Sequence, residues 1–494
     1  YNLVVVPPDM TNFRKQTLPV LEQYLAGGGE VLALAPAAES VDGRPSDAVR
    51  QLRQKYAAQW HEVNGLEGLL AEVRKRLPPR IEFAAPAPSG IGFSERTFAN
   101  GDRWVMLANT GLQRYRTQAV VAGGAVEEWD SVSGKMTAAA FEPAGGGRVK
   151  VDVDLAPAGS VVLFVKKTGQ PGRPAGGQFA RLETGSWQAK ADTANVLVLD
   201  YCDYKVNGVE RKDANTWAAN WDIWQRHGFE RPAWDNAVQF KKRVFDRNRF
   251  GKDSGFEAVY RFEVSDAAAL KGLELAVEAP ELYRVTLNGK AVDFTAAKRW
   301  LDPHLKSAAV ERLAQPGWNE VKIAAAPFDV KMELENIYLR GNFTVESAGR
   351  GFRVGAPRVL EFGAWRRQGY PFYGDAVTYS ASVDVPAGSS QVKVELPEWT
   401  GSVAVVLVDG KPAATLGWQP YESVMPVSPG KHEIGVRIVS TPRNVMGPFH
   451  NPTKPRMRAW PAAWAEFPAH QPEGAAYDLL DYGLTAAPMV SVAK

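Results

Sequence analysis

At 494 residues the chain is too long for one ordinary core, and its length implies roughly three to four domains. A hydrophobic fraction of 45% with 23% charged residues excludes a disordered chain. The net charge of +3 comes from 58 basic and 55 acidic residues that are interspersed without a Lys/Arg run, which argues against nucleic acid as a partner. No apolar stretch reaches the roughly 18 residues that span a bilayer, so no membrane partner is expected. Fifteen Trp and fifteen Tyr, many beside Gly, Pro, Asn or Asp, suit both sandwich cores and the C–H faces of sugars. The single cysteine, Cys202, excludes an intrachain disulfide; it follows Val198-Leu199-Asp200-Tyr201 and reads as a small buried hydrophobe.

The chain opens at Tyr1 in the strand-like run Asn2 to Val6, without a signal peptide, which reads as a cut or mature edge. Leu3 to Val6 is continuously apolar, as in a strand buried on both faces. After Pro7-Pro8-Asp9, Thr11 or Asn12 is placed to cap a helix carrying Phe13, Leu18, Leu21, Tyr24 and Leu25. Gly27-Gly28-Gly29 ends that helix and Val31 to Leu34 is the next strand; glycines between helix and strand are in the wrong order for a phosphate loop. A helical stretch then runs from about Asp47 to Arg76, interrupted near Asn64-Gly65. With only about two clear strands, residues 1–80 read as a small α/β domain.

From 81 to 168 the texture changes to short alternating strands, Trp104 to Ala108, Thr117 to Val121, Val149 to Val153 and Val161 to Val165, as in an antiparallel sandwich. Gln170 to Gly177 reads as a linker. The remainder, 178–350 and 351–494, holds a duplicated order of elements. Phe256 to Phe262, Leu273 to Glu278, Val285 to Leu287, the turn Asn288-Gly289-Lys290, then Pro316-Gly317 and Glu320 to Ile323 make the first copy. Val377 to Ala381, Val392 to Leu396, Val405 to Val408, Asp409-Gly410-Lys411, then Pro429-Gly430 and Glu433 to Ile438 make the second. Asn-Gly and Asp-Gly are the dipeptides of tight primed hairpins, and two jelly-roll sandwiches fit best. The fold class expected is mainly β, with several β-sandwich domains preceded by a small α/β domain.

These sandwiches resemble the galactose-binding-like modules of large glycoside hydrolases. Asn195 to Tyr201, Trp234-Asp235-Asn236 with Gln239-Phe240, Glu333 to Phe343, Gly369 to Gly374 and Asn444 to His450 resemble, in that order, the C-terminal half of the family 106 α-L-rhamnosidases. The first eighty residues resemble the glutamine-amidotransferase-like accessory domain of several hydrolase families. The resemblance implies a catalytic (β/α)8 barrel and a calcium upstream, a rhamnose-containing glycan as partner, and a periplasmic or secreted protein. It carries over no catalytic residue, because nothing in this chain shows eight strand–helix units. Two other readings are a carbohydrate-binding or structural scaffold with no enzyme attached, and the accessory modules of a β-galactosidase-type exo-glycosidase.

Candidate sugar-binding residues are Trp300, Asp302 and His304 in the first copy, and Trp418 and Tyr421, flanking Gln419-Pro420, in the second; each offers an aromatic platform beside polar groups. Asn444 and His450 flank Gly447-Pro448 and join them. The alternatives are a core-plugging Trp, a loop-capping Asp and a hydrogen-bonded loop His. Glu333 and Glu335 alternate on an expected strand, roughly 7 Å apart, a spacing that suits the paired acids of a hydrolase and equally a solvated sheet face. Trp217, Trp221, Trp224 and Trp234 lie in a polar segment that either packs between domains or edges a neighbouring site. No cofactor is required by these residues. Six scattered His without metal spacing and a single Cys leave zinc without ligands, whereas calcium on loop carbonyls and acids is compatible.

Overall fold

The computed structural model describes residues 3–7, 9–36, 38–77, 79–84, 86–131, 134–169, 178–450 and 463–493. It divides into two compact units, Tyr1–Ala175 and Gly176–Lys494. The linker expected at Gln170 to Gly177 lies outside the described residues. Among those residues the protein is mainly β, with several packed sheets and no closed barrel.

The first unit begins with a parallel three-stranded sheet in the order Leu3–Val6, Glu30–Leu34, Trp60–Val63. Helices Thr17–Ala26, Ala48–Lys55 and Gly65–Arg76 connect and flank these strands. Two local expectations need correction. The stretch from Asp47 to Arg76 is two helices separated by a strand: Trp60 and Val63 are buried and the segment pairs in parallel with Val31 to Leu34, so sheet pairing overrides the helix-favouring sequence around it. Asn12 caps no helix; Asn12–Phe13 pairs with Ser40–Val41, and the first helix starts after Gln16. The glycine triplet is a helix stop, with Gly27 N–H bonded to Gln23 O at 3.0 Å and Gly28 at φ +87°.

The rest of this unit is a sandwich. One sheet runs Phe141–Gly145, Arg148–Leu155, Tyr115–Ala122, Ile81–Phe83, and the other runs Met136–Ala138, Ala125–Trp129, Ser160–Lys166, Arg103–Asn109, Ile91–Thr97. The alternation in Arg148–Leu155 puts Val149, Val151, Val153 and Leu155 into a core shared with Val105, Leu107 and Leu163.

The second unit contains two further sandwiches, and the duplication read from the sequence is a shared pairing scheme. Phe256–Val264 pairs antiparallel with Gly317–Ala325, which also pairs with Arg284–Leu287. Ala376–Val385 likewise pairs with Gly430–Val439, which also pairs with Val403–Val408. The remaining strand of each copy, Glu274–Glu278 or Gln391–Glu395, joins the opposite sheet. The hairpin residues Asn288 and Gly289 have φ of 51° and 77°, and Asp409 and Gly410 have 52° and 73°, the positive values that a primed turn demands of both central positions. Each turn is anchored the same way: Asn288 Oδ1 accepts from Glu320 N at 3.0 Å, and Asp409 Oδ1 accepts from Glu433 N at 2.9 Å.

Chain order and sandwich membership do not coincide. Phe179–Arg181 pairs with Met489–Ala493, and Gln188–Ala191 pairs with Ala376–Val385. Residues 179–191, which the sequence groups with the first sandwich of this unit, therefore complete the second. The second core is built around Trp365, Tyr379, Val392, Val406, Ile434 and Ile438.

Gly255 opens the strand Phe256–Val264 at φ +131°, where a Cβ would stand 1.9 Å from Ala325 O. Gly255→Ala is expected to cost more than about 1–3 kcal/mol, since it adds backbone strain to a direct clash with a paired strand. Urea midpoints of the two proteins check this.

Candidate functional site

The described polar site of the second unit begins where a buried strand runs out. Asn195–Leu199 is buried at all five positions. After it the chain leaves one sheet and enters the other as Tyr201–Val206, so Asp200 sits at the sheet-to-sheet crossing. Asp200 O accepts from Thr216 N at 2.9 Å, and Asn215 caps the helix Thr216–Arg226 by accepting from Trp217 N at 3.1 Å. This fixes Trp217 in the first helical turn. Its ring stacks on Trp221 at 6.4 Å and meets Trp234 edge-on at 5.1 Å.

The Asp200 carboxylate is 2% exposed. Its Oδ2 is 2.8 Å from His450 Nε2, and its Oδ1 accepts from the Tyr477 hydroxyl at 2.7 Å. Burial, then the Asp200 charge, pushes the Tyr477 hydroxyl well above the ordinary tyrosine range. Trp217, Trp464, Glu335, Asn336 and Glu466 complete the wall of a notch of about 40 Å³ above this pair. That volume admits a few waters or a cluster of sugar hydroxyls, not a whole pyranose ring. Trp464 donates its indole N–H to Met446 O at 2.9 Å, which leaves its ring as part of the rim.

Glu335 also belongs to a second, tighter slot of about 10 Å³, with Glu278, Glu333 and Tyr283. Contrary to expectation, Glu333 to Asn336 are not in a strand; the strand starts at Ile337. Side chains replace the missing ladder. Trp224 Nε1–H donates to Met332 O, the Tyr283 hydroxyl to Glu333 O, and the Tyr260 hydroxyl to Glu335 O, while Asn220 Oδ1 accepts from Leu334 N. Leu334 points into the core and both glutamates point into the slot. Burial, followed by the Glu278 charge, raises the Glu333 carboxyl to about 7; burial, Glu278 and Glu333 raise Glu335 to about 8. Burial also raises Glu278. These acids hold protons near neutrality, but their slot has room for about one water and no sugar ring, so it does not accommodate glycoside cleavage. Among the described residues no three His, Cys, Asp or Glu side chains stand in a metal-holding arrangement.

The other expected site residues are dispersed. Trp300 packs edge-on against Tyr338 at 5.2 Å and lies 4.7 Å under the Arg340 guanidinium. Asp302 Oδ1 accepts from His304 N at 2.8 Å, capping its own turn. Both Asp302 and His304 act on the Glu278 carboxyl, in opposite senses. Asn444 is buried, clamping Leu480 by bonds of 2.9 Å to both its N and its O. In the second sandwich Trp418 is exposed and Tyr421 stands edge-on to Trp399 at 5.1 Å. Of the expected binding residues, His450 lines the notch. Trp224 is a fully buried core residue, and burial pushes the Cys202 thiol far above the ordinary range.

No family model matches the chain, and no curated protein does. Similar solved structures include a rhamnosidase from Novosphingobium sp. PP1Y, 15% identical over 68% of this chain and 33% of that one, with a TM-score of 0.31. An exo-carrageenase GH42 from Bacteroides ovatus is 18% identical over 34% and 22%, at 0.25, and a β-galactosidase from Bacillus circulans 13% over 33% and 33%, at 0.23. All three are glycoside hydrolases, and the match spans a third or less of each. No described helix is long and apolar enough to cross a membrane.

Asp200, Tyr477, Glu278, Trp464 and Glu466 are the site residues that sequence reasoning does not single out. For Asp200 a signal exists, a charge closing the wholly apolar run Val196 to Leu199. For Tyr477 and Glu466 none does, because their role depends on a segment folding back over a strand more than 250 residues earlier.

Proposed function

We propose that this chain is the carbohydrate-holding, non-catalytic part of a periplasmic or secreted glycoside hydrolase acting on terminal α-L-rhamnosyl residues, its catalytic barrel lying elsewhere in the protein. The observation that carries this reading is the convergence of the segments that resemble family 106. Asn195 Nδ2 donates to both Phe343 O and Gly369 O at 2.8 Å, joining three motif segments. Asp200 and His450, from the first and last segments, close the notch. The order of the motifs supports the rhamnosyl preference. Trp217 and Trp464 offer ring faces to sugar C–H groups, while Glu335, Asn336 and Glu466 offer hydrogen bonds to hydroxyls.

Affinity electrophoresis of the full chain in a gel containing a neutral polysaccharide with terminal rhamnosyl residues, free of uronic acids, tests this. The wild-type protein is expected to be retarded, Trp217→Ala with Trp464→Ala to run close to its mobility in a plain gel, and Trp318→Ala, which removes another exposed ring, to behave as wild type. Unretarded wild-type protein with native circular dichroism, or full retardation of the double variant, contradicts the assignment.

A further inference from the structure

The two sandwiches of the second unit border a much larger groove, of about 580 Å³, that none of the motifs above explains. This lies within the usual range for small-molecule sites, roughly 300–1,000 Å³. Its walls come from the strand Gln188–Ala191 on one side and from the ends of Glu274–Glu278 and Ile337–Gly341 on the other. Four cations line it, Lys190, Lys271, Arg340 and Arg358, against one carboxylate, Glu274.

The cations are not equivalent. Arg340 Nη1 is held by Glu274 at 2.8 Å and Ser307 at 3.1 Å, and its ring contact with Trp300 fixes the guanidinium plane. Its Nε–H is buried and has no hydrogen-bond partner among the described residues. Arg358 reaches Glu346 at 2.8 Å from an exposed position. Lys190 and Lys271 line the groove from exposed positions. Val359, 83% exposed, adds an apolar surface beside them.

We infer that this groove binds an acidic oligosaccharide, with sugar carboxylates met by Lys190, Lys271, Arg340 and Arg358 and a ring face laid on Val359. A planar carboxylate matches a guanidinium fork in two parallel hydrogen bonds, whereas Lys serves as a mobile point charge. The inference rests on the reading of this chain as carbohydrate-holding, but not on its rhamnosyl preference or on the notch beside Asp200.

Titrating the full chain with oligogalacturonate, with a neutral oligomer of equal length and with a sulfated one tests it. Oligogalacturonate is expected to bind best at low salt and to weaken as salt rises. The triple variant Lys190→Ala, Lys271→Ala, Arg358→Ala, all at exposed positions, should lose about tenfold in affinity, the sum of three modest exposed ion pairs. Trp217→Ala with Trp464→Ala should keep the acidic binding, so a failure of the notch and a failure of the groove read out separately. The assignment is overturned by equal binding of the neutral oligomer, by equal binding of the sulfated one, by no oligogalacturonate binding at low salt, or by an unaffected triple variant.

Discussion

Replacing Asp200 with alanine is expected to destabilise the second unit by roughly 2–6 kcal/mol, because it leaves two buried hydrogen-bonding groups without their acceptor at about 1–3 kcal/mol each. The side chain is almost wholly buried and is the acceptor for both His450 and Tyr477. Its removal leaves two polar groups without their partner and opens a gap beneath Phe449 and Tyr477. Tyr477 packs on Phe352 at 4.9 Å and on Phe372 at 5.9 Å, so loosening it disturbs the aromatic layer that seals the core edge. Asp200→Asn, which retains an acceptor, should cost clearly less. Urea unfolding at pH 7 measures both; a shift below about 1 kcal/mol for the alanine variant would show that this pair does not tie the C-terminal segment to the sandwich.

Glu335→Gln is expected to act in the opposite direction, and only where the carboxyl would ionise. Burial and two neighbouring glutamates hold Glu335 at about 8, far above its ordinary value near 4.5. The folded chain therefore keeps a proton that the unfolded chain releases as pH rises from about 4.5 to 8. A group bound to more protons in the folded state makes stability fall with rising pH, so its cost is absent below that window and complete above it. The glutamine variant should match the wild type near pH 4.5 and exceed it at pH 8.5 by on the order of 2 kcal/mol, about half the full linkage value, because the residue retains some exposure and solvent screens part of the effect. Urea midpoints at the two pH values decide. A difference that is the same at both would mean that Glu335 is as well solvated folded as unfolded.

What the sequence discloses and what it conceals follow from the range of the interactions involved. Asn288-Gly289 and Asp409-Gly410 announce their hairpins because both central residues must take positive φ, a local demand that few residues meet. The alternation in Phe256–Val264 and Ala376–Val385 announces half-buried strands in the same way. Trp60–Val63 is concealed, since its strand state comes from parallel pairing with Val31 to Leu34 and not from its own neighbours. The assignment of residues 179–191 to the second sandwich is equally non-local. At the site, His450 is legible as a polar residue among loop formers, yet its partner stands 250 positions away. Glu333 and Glu335 are legible as a pair, but their departure from strand geometry depends on Tyr260, Tyr283, Asn220 and Trp224 reaching in to satisfy the backbone. Trp300 is legible as an aromatic beside polar groups, but its contacts with Tyr338 and Arg340 are not.

Equilibrium dialysis of the chain against an end-labelled, rhamnose-terminated oligosaccharide tests in one experiment the proposed holding of a glycan without cleavage. The label should concentrate on the protein side and be recovered at its original length. Label equally shared across the membrane, or sugar returned one residue shorter, would contradict it.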